Sequence, residues 1–147
     1  MNFFKIFMGS PSITKKVNFE DIQEIIQNKK KAIMINTLDT SEQNCLIRKT
    51  TTINNEENII NTYLRNDKNI NIIIYGKNAH QINLFKKYEQ LLKLGFINVY
   101  IYPGGLFEWL CLQDIYGKEN FPTTSDELDI LKFKAPSIFN DTLLLTN

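Results

Sequence analysis

The chain has 147 residues, 43% of them hydrophobic, which is the size of one domain and enough apolar side chain to bury a core. Its 17 basic and 16 acidic residues leave a formal net charge of +1, so nothing in the charge calls for nucleic acid or an anionic membrane as partner. Disorder throughout is excluded, and no apolar run approaches the roughly 20 residues of a membrane-spanning helix.

The N-terminal segment, residues 1–12, carries an apolar run at Phe3, Phe4, Ile6, Phe7 and Met8 that Lys5 interrupts. It lacks a signal-peptide core and cleavage site, and reads as a piece that packs on the domain or frays, the alternative being a weak membrane or partner anchor. Asn18 then caps a helix whose Phe19, Ile22, Ile25 and Ile26 face inward, with Asp21 three residues past the cap. Lys29, Lys30 and Lys31 suit the negative pole at its end. Residues 32–36 read as a buried strand, 37–45 as a polar loop and 46–48 as a short extended piece. Asn54 opens the next helix, with Glu57 placed for a capping box and Ile59, Ile60, Tyr63 and Leu64 on its apolar side.

Ile70, Ile72, Ile73 and Ile74 are β-branched and nearly uninterrupted, which predicts a central parallel strand buried on both faces. A six-residue loop follows: Gly76, Lys77, Asn78, Ala79, His80 and Gln81. The period then changes over residues 81–94, placing Ile82, Phe85, Tyr88, Leu91 and Leu92 on one helical face, with Lys86, Lys87, Glu89 and Lys93 largely outside it. Gly95 stands where a left-handed C-cap is expected, and residues 99–102 form the next strand. A Gly104-Gly105 turn starts a helix that runs through Trp109 to Tyr116, where Gly117 stops it. Further on, Pro122, Thr123 and Thr124 mark a turn, and Thr124 with Glu127 caps a short helix. Residues 137–147 read as a tail whose Leu143, Leu144 and Leu145 either dock on the core or stay flexible. Strands alternating with helices imply a mostly parallel sheet covered on both faces.

Few side chains carry obvious chemistry. Cys45 and Cys111 form neither a CxxC pair nor a zinc framework, so no metal or cofactor is called for and a reducing, cytoplasmic location is expected. Abundant Lys, Ile and Asn read as AT-rich coding, as in a protist or a large virus that infects one; the location is then host cytoplasm or virion. Cys111 reads as a buried small hydrophobe and Cys45 as an exposed loop residue with no charge pattern to depress its pKa. His80, the only histidine, sits in the six-residue loop without a Ser, Cys or Thr beside it, and reads as exposed, with ligand contact as the alternative. Phe107 and Trp109 read as core anchors.

Residues 72–109, IIIYGKNAHQINLFKKYEQLLKLGFINVYIYPGGLFEW, resemble the rhodanese-like family. The strongest parts are Gly95-Phe96-Ile97-Asn98-Val99-Tyr100 and Gly104-Gly105-Leu106-Phe107-Glu108-Trp109, spaced correctly behind the isoleucine-rich strand and its loop. The resemblance implies a single α/β domain over residues 13–117, with residues 1–12 as an N-terminal apolar segment and residues 118–147 as a C-terminal extension. In that family the strand ends in Tyr-Cys, the Cys carrying sulfur as a persulfide, and the loop ends in Arg. Here those places hold Gly76 and Gln81. Asn36, Thr37 and Leu38 stand where the family often has Asp-Val-Arg, and the later His-Ile signature appears only as Leu46-Ile47-Arg48-Lys49-Thr50. Sulfur transfer needs a thiolate, and Gly76 has no nucleophile. The resemblance therefore implies a catalytically inactive module that binds an unknown protein partner or has a regulatory role. Its loop, Gly76 to Gln81, would be a vestigial active site retaining weak affinity for an anion or for the partner through backbone N–H groups. The alternatives are an enzyme that uses Cys45 or His80, and a structural component of a larger assembly such as a virus particle.

Overall fold

The computed structural model describes residues 13–139. Its sheet has three parallel strands, β1 (Ala32–Asn36), β2 (Asn71–Tyr75) and β3 (Val99–Ile101), in the spatial order β1-β2-β3. Ile72 of the central strand pairs with Ile33 on one side and Val99 on the other. Single parallel bridges widen both edges, Thr50 beside Met34 and Lys16 beside Ile101. Parallel neighbours need crossover connections, and helices supply them: α2 (Ile53–Asn66) joins β1 to β2 and α3 (Ile82–Leu94) joins β2 to β3. Before the sheet comes α1 (Phe19–Ile26), and after it α4 (Gly105–Tyr116).

The sheet divides the core in two. Met34, Ile73 and Tyr75 point to one face, where they meet Ile22 and Ile25 of α1 and Leu106, Trp109 and Leu110 of α4. Their neighbours Ile33, Ile35, Ile72 and Ile74 point to the other, against Ile60 of α2 and Leu84, Tyr88 and Leu91 of α3. Burial on both faces is why β2 tolerates no polar residue between Ile72 and Tyr75. The chain is thus one α/β domain with helices on both sides of a parallel sheet.

Local expectations held at the ends of α1 and α3. Asn18 and Asp21 make a reciprocal capping box, and Gly95 closes α3 at φ +110°. Others did not hold. Asn28 takes a left-handed φ of 61° just after α1, so Lys29, Lys30 and Lys31 lie beyond the helix instead of ending it. Thr52, not Asn54, precedes α2, and no side chain caps it, so Glu57 belongs to no capping box. On α3 the buried stripe is Leu84, Tyr88 and Leu91, while Ile82 is 70% and Phe85 42% exposed. Tyr88 and Leu91 turn inward as expected, whereas Leu84 takes the place expected of Ile82 and Phe85 because the sheet lies on its side of the helix.

Residues 118–139 fold back along α1 and α4. Trp109 Nε1 donates to Pro122 O at 3.2 Å, and the buried Gln113 carboxamide donates to Phe121 O at 2.7 Å. Phe121 lies edge-on to Trp109, with ring centroids 5.0 Å apart. No helix starts at Thr124, whose hydroxyl donates instead to Asn44 O; the short helical turn is a 3₁₀ turn at Ile130–Phe133. This return covers Cys45, which is 5% exposed and donates to Ser125 O, so the loop cysteine expected at the surface is buried. The N-terminal segment and Leu143, Leu144 and Leu145 lie outside the described residues.

Candidate functional site

The loop from Gly76 to Gln81 leaves the carboxyl end of β2, where open parallel sheets generally present ligands. Its first two carbonyls are held by the first turn of α4: Leu106 N–H donates to Gly76 O and Phe107 N–H to Lys77 O, both at 2.9 Å. Gly105 makes that approach feasible. It has φ +65°, and a Cβ there would lie 2.6 Å from Gly76 O and 2.8 Å from Lys77 O, closer than a carbon can sit against fixed backbone. The Gly-Gly turn therefore clamps the loop as well as starting a helix.

Inside the clamp, Gln81 folds back. Its Oε1 accepts the Lys77 N–H at 2.9 Å and lies 3.4 Å from the Thr37 hydroxyl. A Cβ built on Gly76 would lie 2.0 Å from that same Oε1 and 2.8 Å from Thr37 Oγ1. The carboxamide occupies the space that any side chain at residue 76 would enter. Lys77 reaches out of the loop to Glu42, with Nζ to Oε1 at 2.9 Å. Asn78 is buried: its Nδ2 donates to Phe133 O at 2.8 Å, and its Oδ1 accepts the His80 N–H at 2.9 Å. Ala79 and His80 are exposed at the tip.

Five of the six predicted loop residues, Gly76, Lys77, Asn78, His80 and Gln81, thus take part in hydrogen bonds that hold the loop, His80 through its backbone N–H alone, and the His80 side chain lies exposed beside Ala79. Three further participants, Thr37, Glu42 and Phe133, come from distant parts of the chain; Thr37 stands at a place the resemblance singles out, and nothing local marks Glu42 or Phe133. The Lys77 ammonium is committed to its ion pair with Glu42 and points away from the loop interior. Below the loop, the Tyr75 hydroxyl accepts from Ile47 N–H at 3.1 Å and shares a hydrogen with Thr50 Oγ1 at 2.6 Å. Burial raises the Tyr75 pKa well above the ordinary phenol value. The Tyr102 hydroxyl is buried just past β3, where burial and then the Glu108 carboxylate push its pKa up strongly.

Neither thiol is prepared as a nucleophile. Burial raises the Cys45 pKa, and burial followed by the carboxylates of Asp114 and Glu108 raises that of Cys111, which is partly exposed. Among the described residues no group of three or more His, Cys, Asp and Glu could hold a metal ion, and no helix is long and apolar enough to cross a membrane.

The strand, clamped loop, helix and Gly-Gly turn agree with a match of residues 30–111 to the family described as rhodanese-like domain. The chain belongs to the rhodanese-like domain family. No curated protein matches it. Among solved structures, the BH2092 protein of Bacillus halodurans superposes with a TM-score of 0.57 at 18% identity, covering 95% of this chain and 96% of that one. A thiosulfate sulfurtransferase of Pseudomonas aeruginosa superposes with a TM-score of 0.55 at 15% identity over 74% of this chain but only 21% of its own length. A yeast protein tyrosine phosphatase of the rhodanese family superposes with a TM-score of 0.52 at 15% identity, covering 78% of this chain and 94% of that one. At these identities the rhodanese-like likeness is one of fold.

Proposed function

We propose that this rhodanese-like domain is not a sulfurtransferase and acts as a protein-binding or regulatory module. The observation that carries the reading is the position of Gln81: its carboxamide fills the space beside Gly76 and satisfies the Lys77 N–H that a loop-bound anion would otherwise engage. A rhodanese reaction needs a thiolate at the loop, stabilised there by backbone N–H groups. Gly76 supplies no sulfur, and an anion entering the loop has to displace Gln81 first, so any anion binding is weak. Burial of Cys45 under residues 118–139 also counts against its use as a substitute nucleophile. His80 lies at the exposed tip, with no hydroxyl or thiol in its loop to activate.

The test is sulfur transfer from thiosulfate or mercaptopyruvate to cyanide, measured for the natural chain and for a Gly76→Cys, Gln81→Arg double variant. The natural chain is expected to match the uncatalysed control, and the double variant to form a detectable persulfide. Turnover by the natural chain that disappears with Cys45→Ser, Cys111→Ser or His80→Ala would overturn the reading.

A further inference from the structure

The two flanks of α3 are unlike. Lys87, Gln90 and Leu94 turn toward α2 and are partly covered by it. On the opposite flank, above the outer edge of β3, Ile82, Phe85 and Leu92 follow one another at helical spacing and are 70%, 42% and 39% exposed. Glu89, also exposed, stands among them and makes no ion pair among the described residues.

The chain itself arrives at this flank. Residues 15–17 line the outer edge of the sheet: Val17 N–H donates to Ile101 O and Ile101 N–H donates to Lys15 O, both at 2.9 Å. Lys15 N–H also donates to the Tyr88 hydroxyl of α3, and its Nζ to Ile97 O, both at 3.3 Å. Tyr88 is buried and belongs to the core, so it marks the place and the three exposed side chains make the surface. The polypeptide that precedes Lys15 is therefore delivered beside Phe85 and Leu92. Residues 1–12 lie outside the described residues, and their sequence suits that surface. Phe3, Phe4, Ile6, Phe7 and Met8 are apolar, and Lys5, the only charged side chain before Ile13, is opposite in sign to Glu89. Gly9, Ser10, Pro11 and Ser12 follow, a composition that lets a chain reverse its direction.

We propose that the apolar run of residues 3–8 docks on this flank of α3, over Ile82, Phe85 and Leu92, with Lys5 toward Glu89. The reach is sufficient. Ile82 to Leu92 is a rise of about 15 Å, and an extended chain from Lys15 back to Met8 spans roughly 23 Å at about 3.3 Å per residue. Tethering selects this occupant over a second copy of the chain, because a short linker holds the segment at an effective concentration on the order of millimolar. The surface is separate from the Gly76 to Gln81 loop, so the docking holds whether or not the loop is inert.

The test uses the full chain with a nitroxide spin label at the far end of the segment, attached through Asn2→Cys in a Cys111→Ser background, Cys45 being buried. In the NMR spectrum the amides of residues 82–92 are expected to lose intensity relative to the reduced label. Phe4→Ser with Phe7→Ser is expected to restore that intensity and to shift the same amides, and Phe85→Ser to restore it as well. The Phe4 and Phe7 changes lie outside the described domain, so they carry the test if Phe85→Ser disturbs the fold. The proposal is overturned if the loss falls on another face, if it is spread evenly over the surface, or if Phe4→Ser with Phe7→Ser leaves it unchanged. A sample mixing isotope-labelled chain without nitroxide and nitroxide-labelled chain without isotope tests the other occupant: intensity lost at residues 82–92 in that mixture would assign the face to a second copy and overturn docking within one chain.

Discussion

Replacing Gly105 by alanine is the sharpest test of the clamp between the Gly-Gly turn and the loop. Two costs combine there. At φ +65° an L side chain costs roughly 1–2 kcal/mol in backbone strain. The new methyl would also lie 2.6 to 2.9 Å from Gly76 O and from the carbonyl atoms of Lys77, which are backbone and cannot swing aside, adding roughly 1–3 kcal/mol of overpacking. The expected loss is about 2–5 kcal/mol, out of the roughly 5–15 kcal/mol available to a typical domain. Gly95→Ala is the control. It has φ +110°, but its Cβ would meet only the end of the Lys68 side chain, no closer than 3.4 Å, so strain alone applies, about 1–2 kcal/mol. Urea unfolding of both variants, with equal m-values, measures the difference. If Gly105→Ala falls within about 0.5 kcal/mol of Gly95→Ala, the loop carbonyls are not packed against α4 and the clamp is wrong.

Truncating Trp109, 0% exposed and edge-on to Phe121, to alanine is expected to cost about 3–5 kcal/mol in urea unfolding; a midpoint that barely moves would place the indole at the surface. Gly76→Ala should push the Gln81 carboxamide off the Lys77 N–H, so its cost and that of Gln81→Ala overlap. A double-mutant cycle is expected to show a coupling of about 1 kcal/mol, and additive costs would mean that Gln81 does not fill that space. Tyr75 and Tyr102 have folded-state pKa values raised above the ordinary phenol value of about 10, so both stay protonated in the folded chain while the unfolded chain ionises. Their contribution is therefore fully present below about pH 10 and is lost as pH rises, at up to about 1.4 kcal/mol per pH unit for each. In an absorbance titration, Tyr75 and Tyr102 should ionise only as the chain unfolds; a Tyr75→Phe or Tyr102→Phe difference showing reversible ionisation near the ordinary value, with the fold intact, would contradict their burial.

Local chemistry was legible from the sequence wherever it depends on residues close along the chain. Three consecutive isoleucines in β2 can only be accommodated with both faces covered, and Asn18 with Asp21, or Gly95 after Leu94, acts within a single turn of helix. The missing nucleophile at Gly76 is likewise a property of one residue. What fills its place is not, because Gln81 reaches Lys77 only through a folded loop whose carbonyls are pinned by Leu106 and Phe107, and Thr37 reaches the same space from another strand. Asn78 meets Phe133 across 55 positions of sequence, and Cys45 meets Ser125 across 80. No periodicity encodes such contacts. The inward face expected of α3 was only partly right for a related reason: periodicity grouped Ile82, Phe85, Tyr88, Leu91 and Leu92, and packing kept Tyr88 and Leu91 inward, added Leu84 and left Ile82, Phe85 and Leu92 exposed, because where the sheet lies is not encoded in the helix's own period.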